Sequence, residues 1–577
     1  MNNTTISEYG GLKQVFAVSL GLFLVFLDST VVNIALPTIM NDFKIDLNVA
    51  SWIINSFVLT LAILLITVGK LADIFGRIRL FLVGVLIFAI SSFLCGVAPS
   101  VEVLIASRVL QGIAGAMIIP TSMMLVRTAV PQEKTGLAMG IWGAIGALAV
   151  AIGPSIGGVV TEYIDWRWIF YINVPIIIVS FPFLLWVFKG RKDVKAPLKL
   201  DIWGVLFISV ALYFFTYAIL QGEKLGWNST IIYGYFCISL IAGLLFFIIE
   251  SQVKFPLVDF SIFKNKEYLG GVISNFFGGL IMMGILILLP IYFTQVKGYS
   301  TLQASFLITP LSAVMLVVAP IIGRVMDKIG YQIPMFFGYL FTIASFIPLL
   351  KLSANTEIST LILIMSLLGT GLGILMVTSV TVCTATVSDE HMSLGSGIFA
   401  TARNMGGALG VSIFVSITMS FLNQFSVEIV DDGISQFEKA SLPTEVRAAA
   451  IEKLEVRRES FFEGGGELER FEISKEIYER VTLLQKQEVL KQLPPGASIT
   501  PAIEEQIRLK INTEMTAFEN EINDIQNDLR KDANFYVVKA MSKAFFSGLI
   551  LACLFSLSLL LLRKRETNAN HTSVVSE

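Results

Sequence analysis

The sequence predicts an all-α protein that threads a membrane fourteen times, and three observations carry that prediction. Of 577 residues, 55% are hydrophobic and only 15% charged, where a soluble chain carries about 25% charged residues. Mean hydropathy is +0.75, and the apolar residues gather in runs of about 20, the length that crosses about 30 Å of hydrocarbon. The runs lack the period-two alternation of barrel strands, so helices are the form that satisfies their backbone in lipid.

The first runs fall near residues 14–38, 49–69, 79–98, 101–124, 137–160, 167–188, 200–220 and 229–250. The second series falls near 269–293, 303–326, 332–352, 358–384, 397–421 and 541–562. One set of connecting loops carries Lys70, Arg77, Arg79, Arg127, Lys134, Lys189, Arg191, Lys192, Lys195 and Lys199. The same set adds Lys254, Lys264, Lys266, Arg324, Lys328 and the tail Arg563, Lys564 and Arg565. The alternate loops carry little more than Lys44, Arg167, Lys224, Lys297 and Lys351. Positive charge marks the cytoplasmic side, so both termini are expected in the cytoplasm of a multi-pass plasma-membrane protein. The expected organisation is a six-helix bundle at 1–195, two linker helices at 196–255 and a second bundle at 256–423. A polar insert at 424–536 and a last helix with its tail at 537–577 complete it.

The insert holds 23 acidic and 14 basic residues, a balance of −9 against −2 for the whole chain. Thr444 to Arg458, Gly466 to Gln492 and Pro501 to Leu529 have helical spacing, separated by Gly464-Gly465-Gly466 and Pro494-Pro495-Gly496. The topology puts this helical subdomain or long hairpin outside the cell, between helices 13 and 14. It is either a solvated elaboration, a shield over the exit, or a surface for an extracellular protein or lipid partner. The abundance of Ile, Lys and Asn points to an AT-rich bacterial genome.

Several classes are excluded or disfavoured. Cys95, Cys237, Cys383 and Cys553 lie in apolar runs, where free Cys acts as a small hydrophobe, and no metal-spaced cluster is visible. There is no nucleotide-binding Gly-Lys loop and no nucleophile–His pair, which argues against an enzyme and against ATP as the drive. Nothing suggests nucleic acid. His391 and His571 lie outside the spans, so a histidine relay is not expected. Residues Met1 to Lys13 lack a charged n-region and cleavage site, so the first run reads as a retained helix.

Charges inside the spans are expensive and mark function or a required partner. Asp28 is the acidic residue deep in the first six spans, and burial suits a carboxyl that binds and releases protons. The competing reading is a structural Asp bonded to helix backbone or to Asn33. Arg108 begins about seven residues into its span. It is either a cavity-facing cation with a partner or an Arg that snorkels to the interface. Gly69 to Arg77 recurs in weaker form at Gly323 to Gly330, each with Gly, then Asp four residues on, then Gly three later. Asp73 with Arg77 makes a switchable latch near a helix end, or else a simple positive-inside turn. Asp327 is its counterpart in the second copy.

These motifs carry a family resemblance. Gly69, Asp73, Gly76, Arg77 and Arg79 resemble the loop signature of the major facilitator superfamily, which locks one face of the carrier shut. Leu104 to Gly112 resembles the family's fourth-helix motif, whose Arg (Arg108 here) is linked with proton transfer. Gly143, Gly146, Gly153, Pro154, Gly157 and Gly158 resemble the fifth-helix motif of its exporters. Leu27 to Pro37, Trp166 to Pro175, Pro290 to Tyr299 and Gly395 to Gly410 resemble the fourteen-spanner drug:proton antiporter branch. The resemblance implies two six-helix halves plus two extra helices, with alternating access. It implies proton-coupled efflux of hydrophobic or amphiphilic molecules, the proton gradient supplying the energy and no cofactor taking part. The alternatives are export of a lipid, fatty acid or cell-envelope metabolite by the same machinery, and a membrane receptor or scaffold. Candidate cavity residues are Asn33, Asn55, Trp142, Met282, Met376 and Arg403, though ordinary packing also accounts for the aromatic and Met positions. A cavity with Arg108 and Arg403 and few carboxylates is expected to favour anions or neutral amphiphiles over dications.

Overall fold

The computed structural model describes residues 11–45, 47–191, 201–253, 256–388, 391–456, 475–491 and 501–562. Among them every regular element is a helix. The first half comprises α1 (Gly11–Phe43), α2 (Leu47–Phe75), α3 (Arg77–Gly96), α4 (Val101–Arg127), α5 (Thr135–Tyr163), the single turn α6 (Trp168–Tyr171) and α7 (Asn173–Phe188). The linker helices are α8 (Ile202–Leu225) and α9 (Thr230–Glu250). The second half begins with α10 (Lys266–Ile291), α11 (Thr301–Ile329), α12 (Gln332–Leu349), α13 (Ile358–Thr386) and α14 (Met392–Lys439). After α15 (Thr444–Glu455) and α16 (Lys475–Lys491), α17 (Pro501–Ser556) returns to complete it. Counting α6 and α7 as one, fourteen helices are long and apolar enough to span a membrane.

Local chemistry sets the helix ends. Asp201 caps α8 by accepting the Trp203 N–H, and Asn265 caps α10 through the N–H groups of Glu267 and Tyr268. Ser300 and Gln303 form a reciprocal capping box on α11. Gly76 separates α2 from α3 at φ 102°, a backbone conformation that a side chain disfavours.

The halves are built alike. α1 packs along α5 and α4, while in the second half α10 packs along α14. The seam between them is formed by α5 against α11 and by α2 against α14. The linker helices pair with each other, and α8 lies across α2 and α14, so it touches both halves. Trp52 of α2 stacks near Tyr217 of α8 at 5.8 Å, and Trp227 Nε1 donates to Ser416 Oγ of α14 at 2.8 Å.

The insert differs from the sequence expectation in its boundaries. α14 continues to Lys439 and α17 begins at Pro501, giving 48 and 56 residues. At about 1.5 Å per residue, each is more than twice the length that hydrocarbon requires. The third helical segment of the insert is therefore fused to the last span, because no Pro or Gly interrupts residues 502–547. The projection has its own core: Gly433 of α14 meets Leu529 of α17 and Leu454 of α15, and Phe425 stacks on Tyr536 at 4.6 Å. The glycine and proline breaks at 464–466 and 494–496 lie outside the described residues, as do Lys192, Lys195, Lys199, Lys254, Arg563, Lys564, Arg565 and His571.

Candidate transport site

Helices α1, α2, α3, α4 and α7 converge on Asp28, which is buried against Arg108, itself 1% exposed. Arg108 Nη1 donates to the Asp28 carboxylate and to Gln111 Oε1 at 2.7 Å, and its Nε donates to the Ile53 carbonyl at 3.0 Å. Gln111 Nε2 donates to Asp28 Oδ1 at 2.8 Å and to Ser92 Oγ at 2.9 Å. Asn173 Nδ2 approaches both acceptors at 3.4 Å. The guanidinium also lies over the Phe57 ring, 4.4 Å from its centroid. Two opposite charges thus share a desolvated site in which hydrogen bonds occupy both carboxylate oxygens and the guanidinium Nε and Nη1. Arg108 does not snorkel, and Asp28 does not bond to Asn33, whose amide donates to the Ser29 carbonyl on an exposed face. Gln111 was legible as a neighbour of Arg108 one helical turn away. Ser92 and Asn173 were not, since only packing brings α3 and α7 to this point.

Two matching contacts, or latches, join the halves on the face bearing Lys70, Arg77, Lys134 and Lys328. Asp73 at the end of α2 pairs with Arg77 at 3.1 Å and accepts the Ser393 hydroxyl from the start of α14. In the second copy Asp327 accepts the N–H groups of Gly136 and Leu137, at 3.0 and 3.3 Å, at the start of α5. Each acidic residue therefore reaches the N-terminus of a helix in the opposite half, where positive dipole ends favour a carboxylate. Small residues permit this approach: a Cβ on Gly69 would stand 2.7 Å from the Ser393 carbonyl oxygen, and one on Gly323 would stand 2.3 Å from that of Gly136. Arg79 is exposed at the start of α3.

The fifth-helix glycines divide by neighbour. A Cβ on Gly153 would stand 1.9 Å from Thr30 Oγ1, and one on Gly157 would stand 3.0 Å from the Val31 carbonyl oxygen. Gly146 faces Leu22 and Phe26 at 3.1 Å. These three bring α5 against α1 beside Asp28, with Pro154 inside the helix. Gly143 and Gly158 have only ordinary contacts, at 3.6 and 3.9 Å.

The candidate cavity residues do not form one surface. Trp142 is 2% exposed, donates to Ser122 Oγ at 3.1 Å and packs within the first half, so it does not line an opening. Met376 and Met282 are also buried, Asn55 is half-buried and Asn33 is exposed. Arg403 of α14 is different. Its guanidinium lies over Phe26 of α1, 5.0 Å from the ring centroid, and 3.9 Å from Met282 Sδ of α10. Among the described residues no carboxylate forms an ion pair with it. Phe26 is two residues before Asp28, so a single helix joins the Arg403 contact to the buried pair.

On the opposite face Asp42 accepts the Trp166 indole N–H at 3.1 Å and pairs with Arg167 at 3.0 Å. The insert projects on this side, because α14 starts at the Asp73 latch and runs away from it.

A bundle of fourteen apolar helices in two like halves, with a buried ion pair in one and a reciprocal latch between them, is a membrane carrier. Residues 18–411 match the Major Facilitator Superfamily, and the chain belongs to that family, whose members are transporters and not enzymes. It is 30% identical over 418 residues to the multidrug resistance protein Stp of Mycobacterium tuberculosis (strain CDC 1551 / Oshkosh), covering 71% of this chain and 76% of that protein. It is 32% identical over 399 residues to the tetracenomycin C resistance and export protein of Streptomyces glaucescens, covering 69% and 74%. In fold it resembles the human organic anion transporter MFSD10 at a TM-score of 0.51 and 14% identity, covering 70% of this chain and 92% of that one. The family match ends before the insert begins.

Proposed function

We propose that the protein is a proton-driven exporter of hydrophobic or amphiphilic small molecules that works by alternating access. The observation that carries this reading is the buried Asp28–Arg108 pair and its ring of hydrogen bonds. A proton on Asp28 cancels one of the two charges that bind α1 to α4. Arg108 then keeps the Gln111 and Ile53 oxygens, and α1 is freed to shift. Because α1 also carries Phe26 against Arg403, that shift alters the contact between the halves. The two latches supply the closed state of one face, and their breakage supplies the open one. Relatives named for drug resistance and export support drug-like cargo over a lipid or cell-envelope metabolite.

The cargo class follows from Arg403. A guanidinium over Phe26 and beside Met282, unmatched by a carboxylate among the described residues, favours lipophilic anions and neutral amphiphiles and repels dications. The test is efflux of a lipophilic dye from proteoliposomes under an imposed pH gradient. Wild-type protein moves the dye and Asp28→Asn, folded by gel filtration, does not. Gradient-driven transport by the Asn variant at the wild-type rate would remove Asp28 from the coupling. Arg403→Ala lowers transport of anionic dyes more than that of neutral ones, and strong selectivity for dications in the wild type would refute the cargo assignment.

A further inference from the structure

A second pair of carboxyl groups lies outside the Asp28 cluster, where the linker helices meet the latch face. Glu250 ends α9, where a carboxylate would ordinarily meet water, yet it is only 4% exposed. Asp201, the cap of α8, lies beside it. A Cβ on Gly204 would stand 2.2 Å from Glu250 Oε1 and 2.6 Å from Asp201 Oδ2, so the two oxygens are no farther apart than about 4.8 Å, the sum of those distances. Both oxygens are buried without a hydrogen-bond donor among the described residues. The partner oxygens are satisfied: Glu250 Oε2 accepts the Val258 N–H at 3.0 Å and Asp201 Oδ1 accepts the Trp203 N–H at 3.1 Å. Two buried carboxylate oxygens this close and without a donor repel each other when both are charged, and one proton held between them would satisfy both.

The Glu250 carboxyl also holds a turn that touches both sides of the seam. This turn, Pro256 to Asp259, carries the Val258 N–H bonded to Glu250, and Phe260 just after it packs against Phe247 at 5.0 Å. The Pro256 carbonyl accepts Lys70 Nζ of α2 at 3.2 Å, three residues before the latch residue Asp73. Asp259 meets His391 Nε2 at 3.1 Å, two residues before Ser393 at the start of α14. The turn therefore straps the two partners of the Asp73 latch together from outside. The neighbouring polar side chains at the turn are already engaged: Lys70 on a carbonyl, and Asp259 and His391 on each other.

We infer that Asp201 and Glu250 bind one shared proton, and that this proton holds the Pro256–Asp259 strap across the latch. With the proton in place, an O–H···O⁻ bond joins the start of α8 to the end of α9. When it leaves, two buried negative charges repel, the helix ends part, and the strap loosens α2 from α14. Alkalinisation at the latch face then favours its opening. The inference does not depend on the identity of any cargo.

The test uses the full-length protein in lipid nanodiscs without substrate, with the exposed Cys237 and Cys553 replaced by Ser. Acid-minus-base infrared difference spectra are expected to show a protonated-carboxyl C=O band that persists in Asp28→Asn and is lost in Glu250→Gln. Spin labels on Glu133→Cys and Lys328→Cys, exposed positions of the two halves on the latch face, report opening by their separation. The separation is expected to lengthen at alkaline pH in the parent and to become pH-independent in Glu250→Gln. Asp201→Asn, whose retained carbonyl still caps α8, gives the same two losses and serves if the Gln variant does not fold. A band that survives both substitutions overturns the shared proton, as does a separation that responds to added sodium or calcium with no carboxyl band. A pH response unchanged in both variants overturns the link to the strap.

Discussion

Replacing Arg108 by Leu strands the Asp28 carboxylate in a site built for two charges. Gln111 Nε2 at 2.8 Å and Asn173 Nδ2 at 3.4 Å would be its remaining donors. Removing one partner of a buried pair costs about 3–5 kcal/mol, because the other charge stays desolvated. Asp28→Asn costs less, about 1.5–3 kcal/mol, the worth of hydrogen bonds to a charged group. Its guanidinium keeps Gln111 Oε1 at 2.7 Å, the Ile53 carbonyl at 3.0 Å and the Phe57 face. The double variant leaves no uncompensated charge, so its loss falls short of the summed single losses by about 1–3 kcal/mol. Unfolding in mixed micelles, followed by circular dichroism, measures all three against wild type. Additivity within about 0.5 kcal/mol would refute the pairing. Transport separates structure from chemistry, since the double variant recovers stability without recovering a group that carries a proton.

The remaining predictions concern the latch, the helix seam and the loop at the latch face. Asp73→Ala and Asp327→Ala each remove a carboxylate from a helix start in the opposite half, costing about 0.5–2 kcal/mol. Both raise the labelling rate of a cysteine at exposed Lys328, and a response to only one would break the equivalence of the two copies. Gly153→Val drives a side chain into Thr30 and costs about 1–3 kcal/mol or more. Gly158→Ala, with its nearest neighbour at 3.9 Å, is neutral or stabilises by up to about 1 kcal/mol; thermal melts of the purified variants distinguish the two sites. The Asp259 carboxyl is held below its ordinary range by the backbone N–H and hydroxyl of Ser261 and by His391. Its contribution to folding is thus complete above the ordinary value of about 3.9 and fades as pH falls below it. Asp259→Asn therefore lowers stability across the neutral range by that contribution and flattens the acid limb of the profile.

Much of the architecture was legible because lipid imposes it. A helix must supply about 20 apolar residues to cross hydrocarbon, and the runs in this chain announce themselves one by one. Asp28 and Arg108 stood out for the same reason, being charges where charge is costly. The repeat between Gly69–Arg77 and Gly323–Gly330 was visible because close helix approach needs glycine at set positions. The insert was legible as helical, and as a long hairpin, from its spacing; only the structure set where the long helices end, at Lys439 and Pro501.

What the sequence by itself determined is the set of spans, the odd charges within them and the family to which they belong. Each follows from a local rule: the length of an apolar run, the cost of a buried charge, or the spacing of a motif. What only the tertiary structure decided is which partners those residues meet. It placed Arg108 on Asp28 across 80 residues of chain and Ser393 on Asp73 across 320. It buried Glu250 against Asp201, buried Trp142 within the first half, and among the described residues gave Arg403 no carboxylate. Periodicity fixes which side of a helix is apolar. Which neighbour that side meets depends on how all fourteen helices pack at once, and no local stretch of sequence carries that information.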